Sequence, residues 1–165
     1  MHRAAAALPA LPAGHALPHR SDRRTGGWKA QEVSEPSLLV VVAAVVERQG
    51  RFLVSQRAAG AHLGDYWEFP GGKQEPGESL TDALRREMRE ELDVEIDVDD
   101  ELDCVEHAYA DRIVRLHFFG CRLTGEPHPQ LEQAVRWVTR RELRQLQFPP
   151  ADAALVAKLT ETAAP

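Results

Sequence analysis

GGKQEPGESLTDALRREMREEL, residues 71–92, sets a glycine pair ahead of a helix whose second half carries three crowded glutamates. Ser79, with Asp82 three positions on, is a capping-box-like helix start. Leu80, Leu84, Met88 and Leu92 recur every four residues, which predicts one helix with an apolar stripe running to Leu92. At about 100° per residue, Glu87, Glu90 and Glu91 share an arc of about 100° beside that stripe. Like charges at this spacing cost an isolated helix about 0.2–0.5 kcal/mol per pair. A solvated face alternates signs, as Asp82–Arg86 and Arg86–Glu90 do. Glu87–Glu91 breaks the alternation at the border of the buried face, where repulsion grows. A divalent cation removes the conflict. Magnesium takes oxygen ligands and commonly shares its sphere with substrate phosphates.

The residues ahead of the helix point the same way. Gly71-Gly72 reads as a loop whose backbone can approach a ligand closely, and Lys73 can meet a phosphate. Glu78, near the helix start, can reach the same cavity.

Upstream, residues 38–46 (LLVVVAAVV) and 51–57 (RFLVSQR) read as two strands joined by a tight turn at Gln49-Gly50. The first is apolar on both faces, which predicts a central strand. Residues 67–69 (WEF) form a short strand entering the glycine pair. Downstream, strands are expected at about 101–109, 112–122 and 133–139, and short helices at about 140–146 and 151–161. A mixed sheet with helices packed on it defines the fold class as α/β, in α+β or α/β order.

The 165 residues suffice for one domain with a real core. Residues 1–36 are rich in Pro, Ala and Arg without hydrophobic period and are expected to form a disordered tail, with the folded domain over 37–165. Prolines 9, 12 and 18 break the Ala/Leu stretch of that tail, which argues against a signal peptide. No apolar run approaches the ~20 residues needed to span a bilayer. The net charge of −6 argues against a nucleic-acid or anionic-membrane partner. Cys104 and Cys121 are too few for a disulfide framework and fit no zinc spacing, so a cytoplasmic location is expected. The seven scattered histidines read as surface or core residues.

Gly72, five residues, Glu78, seven residues, then Arg86-Glu87-Met88-Arg89-Glu90-Glu91 resembles the signature of the Nudix hydrolases. The family's glycine after the paired glutamates is Asp93 here, a residue that tolerates the left-handed helix end better than most. The resemblance covers roughly residues 38–161. QRAAGAHLGDYWEFPGGK (56–73) and FPPADAALVAKL (148–159) look like the MutT branch, which clears damaged or unwanted nucleoside triphosphates. Similarity to that branch implies an α/β/α sandwich, dependence on Mg2+ (with Mn2+ as a substitute), and cleavage to a nucleoside monophosphate and diphosphate. The expected substrate is a small-molecule nucleoside triphosphate, and the expected state is a monomer or homodimer.

Site roles follow from the resemblance. Glu87, Glu90 and Glu91 would hold the metal, with the Gly71 carbonyl as a further ligand. Glu87 is the first candidate for activating water and Glu78 the second. Arg86 would orient the carboxylates, and Lys73 and Arg57 would meet phosphate oxygens. MutT-like enzymes take one more carboxylate from a loop before the last strand. Glu132 is the nearest candidate, one residue closer to Trp137 than that pattern prefers. Phe69, Tyr109 and Arg112 are expected to line or stack on the base.

The MutT branch places an asparagine where Asp152 stands. An ionised aspartate only accepts, which suits the N7–H of 8-oxoguanine and equally the N4 amino group of cytosine. A buried, protonated Asp152 regains a donor. The leading expectation is therefore hydrolysis of 8-oxo-dGTP to 8-oxo-dGMP and diphosphate, which limits mutation. (d)CTP or a modified cytidine triphosphate comes second. A non-catalytic, base-reading Nudix-like module is the alternative of another class, and it would need no acidic cluster.

Overall fold

A computed structural model of the chain describes residues 36–61 and 63–161. The expected tail, apart from Pro36, lies outside the described residues. Strand β1 (Ser37–Arg48) turns through Gln49-Gly50 into β2 (Arg51–Gln56). Both turn residues have positive φ, 52° and 73°, the conformation a two-residue hairpin with right-handed strand twist demands. β3 (Trp67–Glu68) pairs with β2, and β4 (Gly71–Lys73) pairs antiparallel with β1. The glycine pair, expected as loop, is therefore sheet. Helix α1 (Leu80–Leu92) follows, then the long antiparallel pair β5 (Ile96–Ala108) and β6 (Arg112–Leu123). β7 (Val135–Thr139) pairs with β2, leading into α2 (Arg140–Leu143), a 3-10 turn (Pro150–Asp152) and α3 (Ala153–Glu161).

β1 is central, as its apolarity on both faces requires. It pairs in parallel with β6 along one edge, while β4 and the start of β2 share the other. Its side chains alternate between two cores. Val42, Ala44 and Val46 meet Leu84, Met88 and Leu92 of α1. Ala43 and Val45 meet Leu143 of α2 and Leu155 of α3. The result is a mixed seven-stranded sheet with helices on both faces, the expected α/β/α sandwich.

α1 is fixed at both ends by side-chain chemistry. The Asp82 N–H donates to Ser79 Oγ at 3.1 Å, closing the N-terminus. Asp93 ends the helix in the left-handed region (φ 47°, ψ 43°), and its N–H donates to the Arg89 carbonyl. Leu84, Met88 and Leu92 are fully buried, each contributing about 1.5–3 kcal/mol. That outweighs glutamate repulsion of about 0.2–0.5 kcal/mol per pair. The core therefore holds the acidic face in place.

Candidate active site

Arg86 organises the acidic end of the molecule. Its Nη2 and Nε donate to the two oxygens of Glu78 at 2.7 and 3.2 Å. Its Nη1 donates to Glu87 at 2.8 Å and to Glu90 at 3.2 Å, and Nη2 also reaches the Lys73 carbonyl at 2.9 Å. One guanidinium thus ties three carboxylates of the signature to the backbone of β4. Glu78 and Glu87 hold that guanidinium far above its usual range. Arg86 lowers the Glu78 carboxyl in return, helped by a bond from the Glu75 N–H.

Among the described residues no arginine or lysine pairs with Glu91. Burial, then the negative charge of Glu68 and Glu87, pushes its carboxyl up to about 8, although the Gly71 N–H bonds it. The contact is accessible because β4 spends alternate groups on β1, with Ala44 N–H bonding Pro70 and Gln74 N–H bonding Val40. Gly71 is thereby left to turn toward the helix. With Arg86 set against Glu78, Glu87, Glu90 and Glu91, the cluster keeps an excess of negative charge.

The two glycines are required by space. A Cβ on Gly72 would lie 2.3 Å from the Glu87 carboxyl carbon, and one on Gly71 would lie 2.0 Å from the Val42 carbonyl oxygen. β4 is therefore a bare ribbon with glutamates packed against it.

Its other side opens into a cavity of about 450 Å3, lined by Gly71, Gly72, Lys73, Arg57, Phe69, Tyr109, Arg112 and Asp152 among others. Six side chains expected to bind substrate therefore converge on one space, drawn from four separate stretches of chain. Asp152 is buried in its wall. Burial, then Glu68, pushes that carboxyl up to about 7, partly offset by Arg57. Burial and the nearby Asp152 charge raise the Tyr109 phenol in turn.

Some expected residues are occupied otherwise. Arg57 is paired to Glu68 at 2.5 Å within the cavity. Phe69 lines the cavity but is also a buried core ring, edge-on to Phe118 and stacked on Phe148. Arg112 is paired with Asp111. Glu132 is exposed on the loop before β7 and neither lines the cavity nor bonds Arg86, though that loop docks on α1 through the Gln130 N–H and the Glu91 carbonyl.

Glu68 is the residue the sequence did not single out. It lines the cavity, pairs with Arg57, and acts electrostatically on both Glu91 and Asp152. Lying between Trp67 and Phe69, it reads in sequence as the polar position of a strand.

Residues 41–158 match the family described as NUDIX domain. The chain is 38% identical over 120 residues to the CTP pyrophosphohydrolase of Escherichia coli K12, covering 72% of this chain and 89% of that protein. It is 32% identical over 123 residues to the 8-oxo-dGTP diphosphatase of the same organism, covering 74% and 95%. Among solved structures, the E. coli ORF135 protein superposes with a TM-score of 0.68 at 35% identity, over 79% of this chain and 95% of that one. The chain belongs to the Nudix hydrolase family. Within it, the chain is a pyrophosphohydrolase of the MutT type, acting on phosphoric anhydride bonds. Among the described residues no helix is long and apolar enough to cross a membrane.

Proposed function

We propose that the chain is a Mg2+-dependent nucleoside triphosphate pyrophosphohydrolase whose base pocket takes a base presenting an N–H to Asp152. The observation that carries this is a single cavity with the glycine ribbon and Lys73 in its lining and buried Asp152 in the same wall. Its volume suits a small molecule of nucleotide size. The triphosphate would run along β4, beside the glutamates, with the base against Asp152.

The donor set fits magnesium. Glu87, Glu90, Glu91 and the Gly71 carbonyl offer hard oxygen ligands only, and a cation would relieve the negative charge of the neighbouring carboxylates that acts on Glu91. When bound, the ion would neutralise phosphate charge and polarise the bond to be cleaved. The chain's own residues supply position. Arg86 holds Glu87 and Glu90 in fixed orientation, and Glu87 is the candidate for accepting a proton from water. Glu78 has both oxygens occupied by Arg86, so we assign it to positioning rather than proton transfer. Lys73, at the cavity edge, is suited to phosphate oxygens, and Arg57 with Glu68 to shaping the space between phosphate and base. Nudix catalysis of this kind rests on orientation and charge neutralisation more than on covalent chemistry.

For the base, 8-oxo-dGTP is the leading reading, because an acceptor at Asp152 suits N7–H and disfavours the bare N7 of guanine. A cytidine triphosphate is the second reading. It is favoured by the same acceptor facing N4–H2 and by the 38% identity to a CTP pyrophosphohydrolase. The test is diphosphate release from 8-oxo-dGTP, dGTP, dCTP, CTP and ADP-ribose, each with and without Mg2+. Turnover of a triphosphate only with Mg2+ is expected. No turnover of any nucleotide would transfer the reading to a non-catalytic module.

A further inference from the structure

β5 carries two extra residues where it passes β6, one between Val98 and Glu101 and a second between Glu101 and Asp103. Glu101 faces Phe119 and Asp103 faces Phe118, so Leu102 is inserted opposite no residue of β6. In a regular strand Glu101 and Cys104, three apart, would point to opposite faces of the sheet. The second insertion cancels that odd count and aims both side chains to one face. This is the face of Phe119, the side on which α1 packs. Cys104 is the direct register partner of His117, which faces the same way.

Three chemically distinct groups meet as a result. His117 Nδ1 lies 2.6 Å from Glu101 Oε1, and His117 Nε2 lies 4.0 Å from Cys104 Sγ. All three ligand atoms fall within 4.8 Å of one another. The row Gly72–Val42–His117–Cys104 crosses four paired strands. His117 is therefore two strands from the glycine ribbon, roughly 10 Å at normal strand spacing.

We propose that Cys104, His117 and Glu101 form a second metal site, distinct from the carboxylates of α1, that takes Zn2+. Cys104 Sγ and His117 Nε2 are its direct ligands. Glu101 accepts from Nδ1–H, which fixes the tautomer and turns Nε2 toward the sulfur, the usual support for a zinc-bound imidazole. Tetrahedral zinc at its normal bond lengths separates S and N by about 3.6 Å. The observed 4.0 Å closes to that by a small rotation of Cys104. The thiol gives its proton to solvent as the Zn–S bond forms, and water completes the coordination.

Glu101 is the carboxylate that faces the two donors. Asp103 and Glu106 flank Cys104 on β5, their partners being Lys158 and Arg115. The sulfur and nitrogen donors separate this site from the oxygen-only cluster on α1, so the two sort metals by ligand softness.

The test is calorimetric titration of the full chain with Zn2+ in saturating Mg2+, alongside Co2+ titration followed by absorption. One equivalent of Zn2+ and a sulfur-to-cobalt charge-transfer band are expected. Cys104→Ser should abolish the band and weaken Zn2+ at least about tenfold, and Glu101→Gln should weaken it about 10- to 100-fold. Glu90→Gln should leave Zn2+ affinity unchanged. Absence of the band, or an unchanged Zn2+ affinity in Cys104→Ser with wild-type thermal unfolding, would overturn the assignment.

Discussion

Arg86 and Glu78 face each other across the start of α1 in a two-point contact, Nη2 to Oε1 at 2.7 Å and Nε to Oε2 at 3.2 Å. Because the same guanidinium also holds Glu87 and Glu90, the pair sets the orientation of the carboxylates beyond it. A lysine keeps the charge but loses the planar fork. Arg86→Lys should therefore lower kcat about 10- to 100-fold while thermal unfolding changes little. Steady-state rates and a melting curve on the same preparation decide this. Unchanged kcat would reduce Arg86 to a helix ion pair.

Gly72 predicts a steric lesion. The new methyl of Gly72→Ala would enter the space of the Glu87 carboxylate, at 2.3 Å from its carbon. The glutamate must move, and misplacement by about 1 Å costs on the order of 100-fold in rate. A mutant with wild-type activity would mean that the Glu87 position is not needed.

Glu91 predicts a pH dependence of known sign. Its carboxyl rises from 4.5 to about 8 on folding, so the metal-free folded state holds a proton that the unfolded chain has released. Stability without metal should therefore fall as pH rises between those two values. Asp152, raised to about 7, contributes in the same direction. Mg2+ must displace the Glu91 proton, so its stabilising effect should be larger at pH 8 than at pH 6. Thermal melts with and without Mg2+ at both values test this, and Glu91→Gln should flatten the difference. An equal Mg2+ effect at both pH values in the wild type would contradict the account.

Asp152 predicts a change in selectivity. Asparagine donates as well as accepts, which matches the O6 and N7–H pair of 8-oxoguanine. Asp152→Asn should raise the kcat/KM ratio of 8-oxo-dGTP over dCTP, by about tenfold. An unchanged ratio would show that this side chain does not read the base.

The helix was legible because its signals are local. Ser79, the four-residue apolar stripe and Asp93 each report on their own neighbourhood. The hairpin at Gln49-Gly50 was legible for the same reason. Gly71-Gly72 was not, because its strand character comes from β1, a partner some 30 residues away. The first residues of β5, Ile96 to Asp100, were missed because acidic residues dominate them, and only pairing with β6 makes them a strand. α2 stops at Leu143, short of the expected end, and the last helix is preceded by a 3-10 turn that opens on Pro150, where proline's fixed φ and missing N–H suit the first position. Of the candidate site, the glutamates and glycines were set by spacing, whereas Glu68 and the Cys104–His117 contact arise from cross-strand geometry that spacing does not carry.

The account rests on the acidic face of α1 holding magnesium beside a polyphosphate. The most direct measurement is hydrolysis at limiting Mg2+ by the double variant Glu90→Gln, Glu91→Gln. A loss on the order of 100-fold, with the fold retained, is predicted. Hydrolysis as fast as that of the wild type under the same limiting Mg2+ would contradict it.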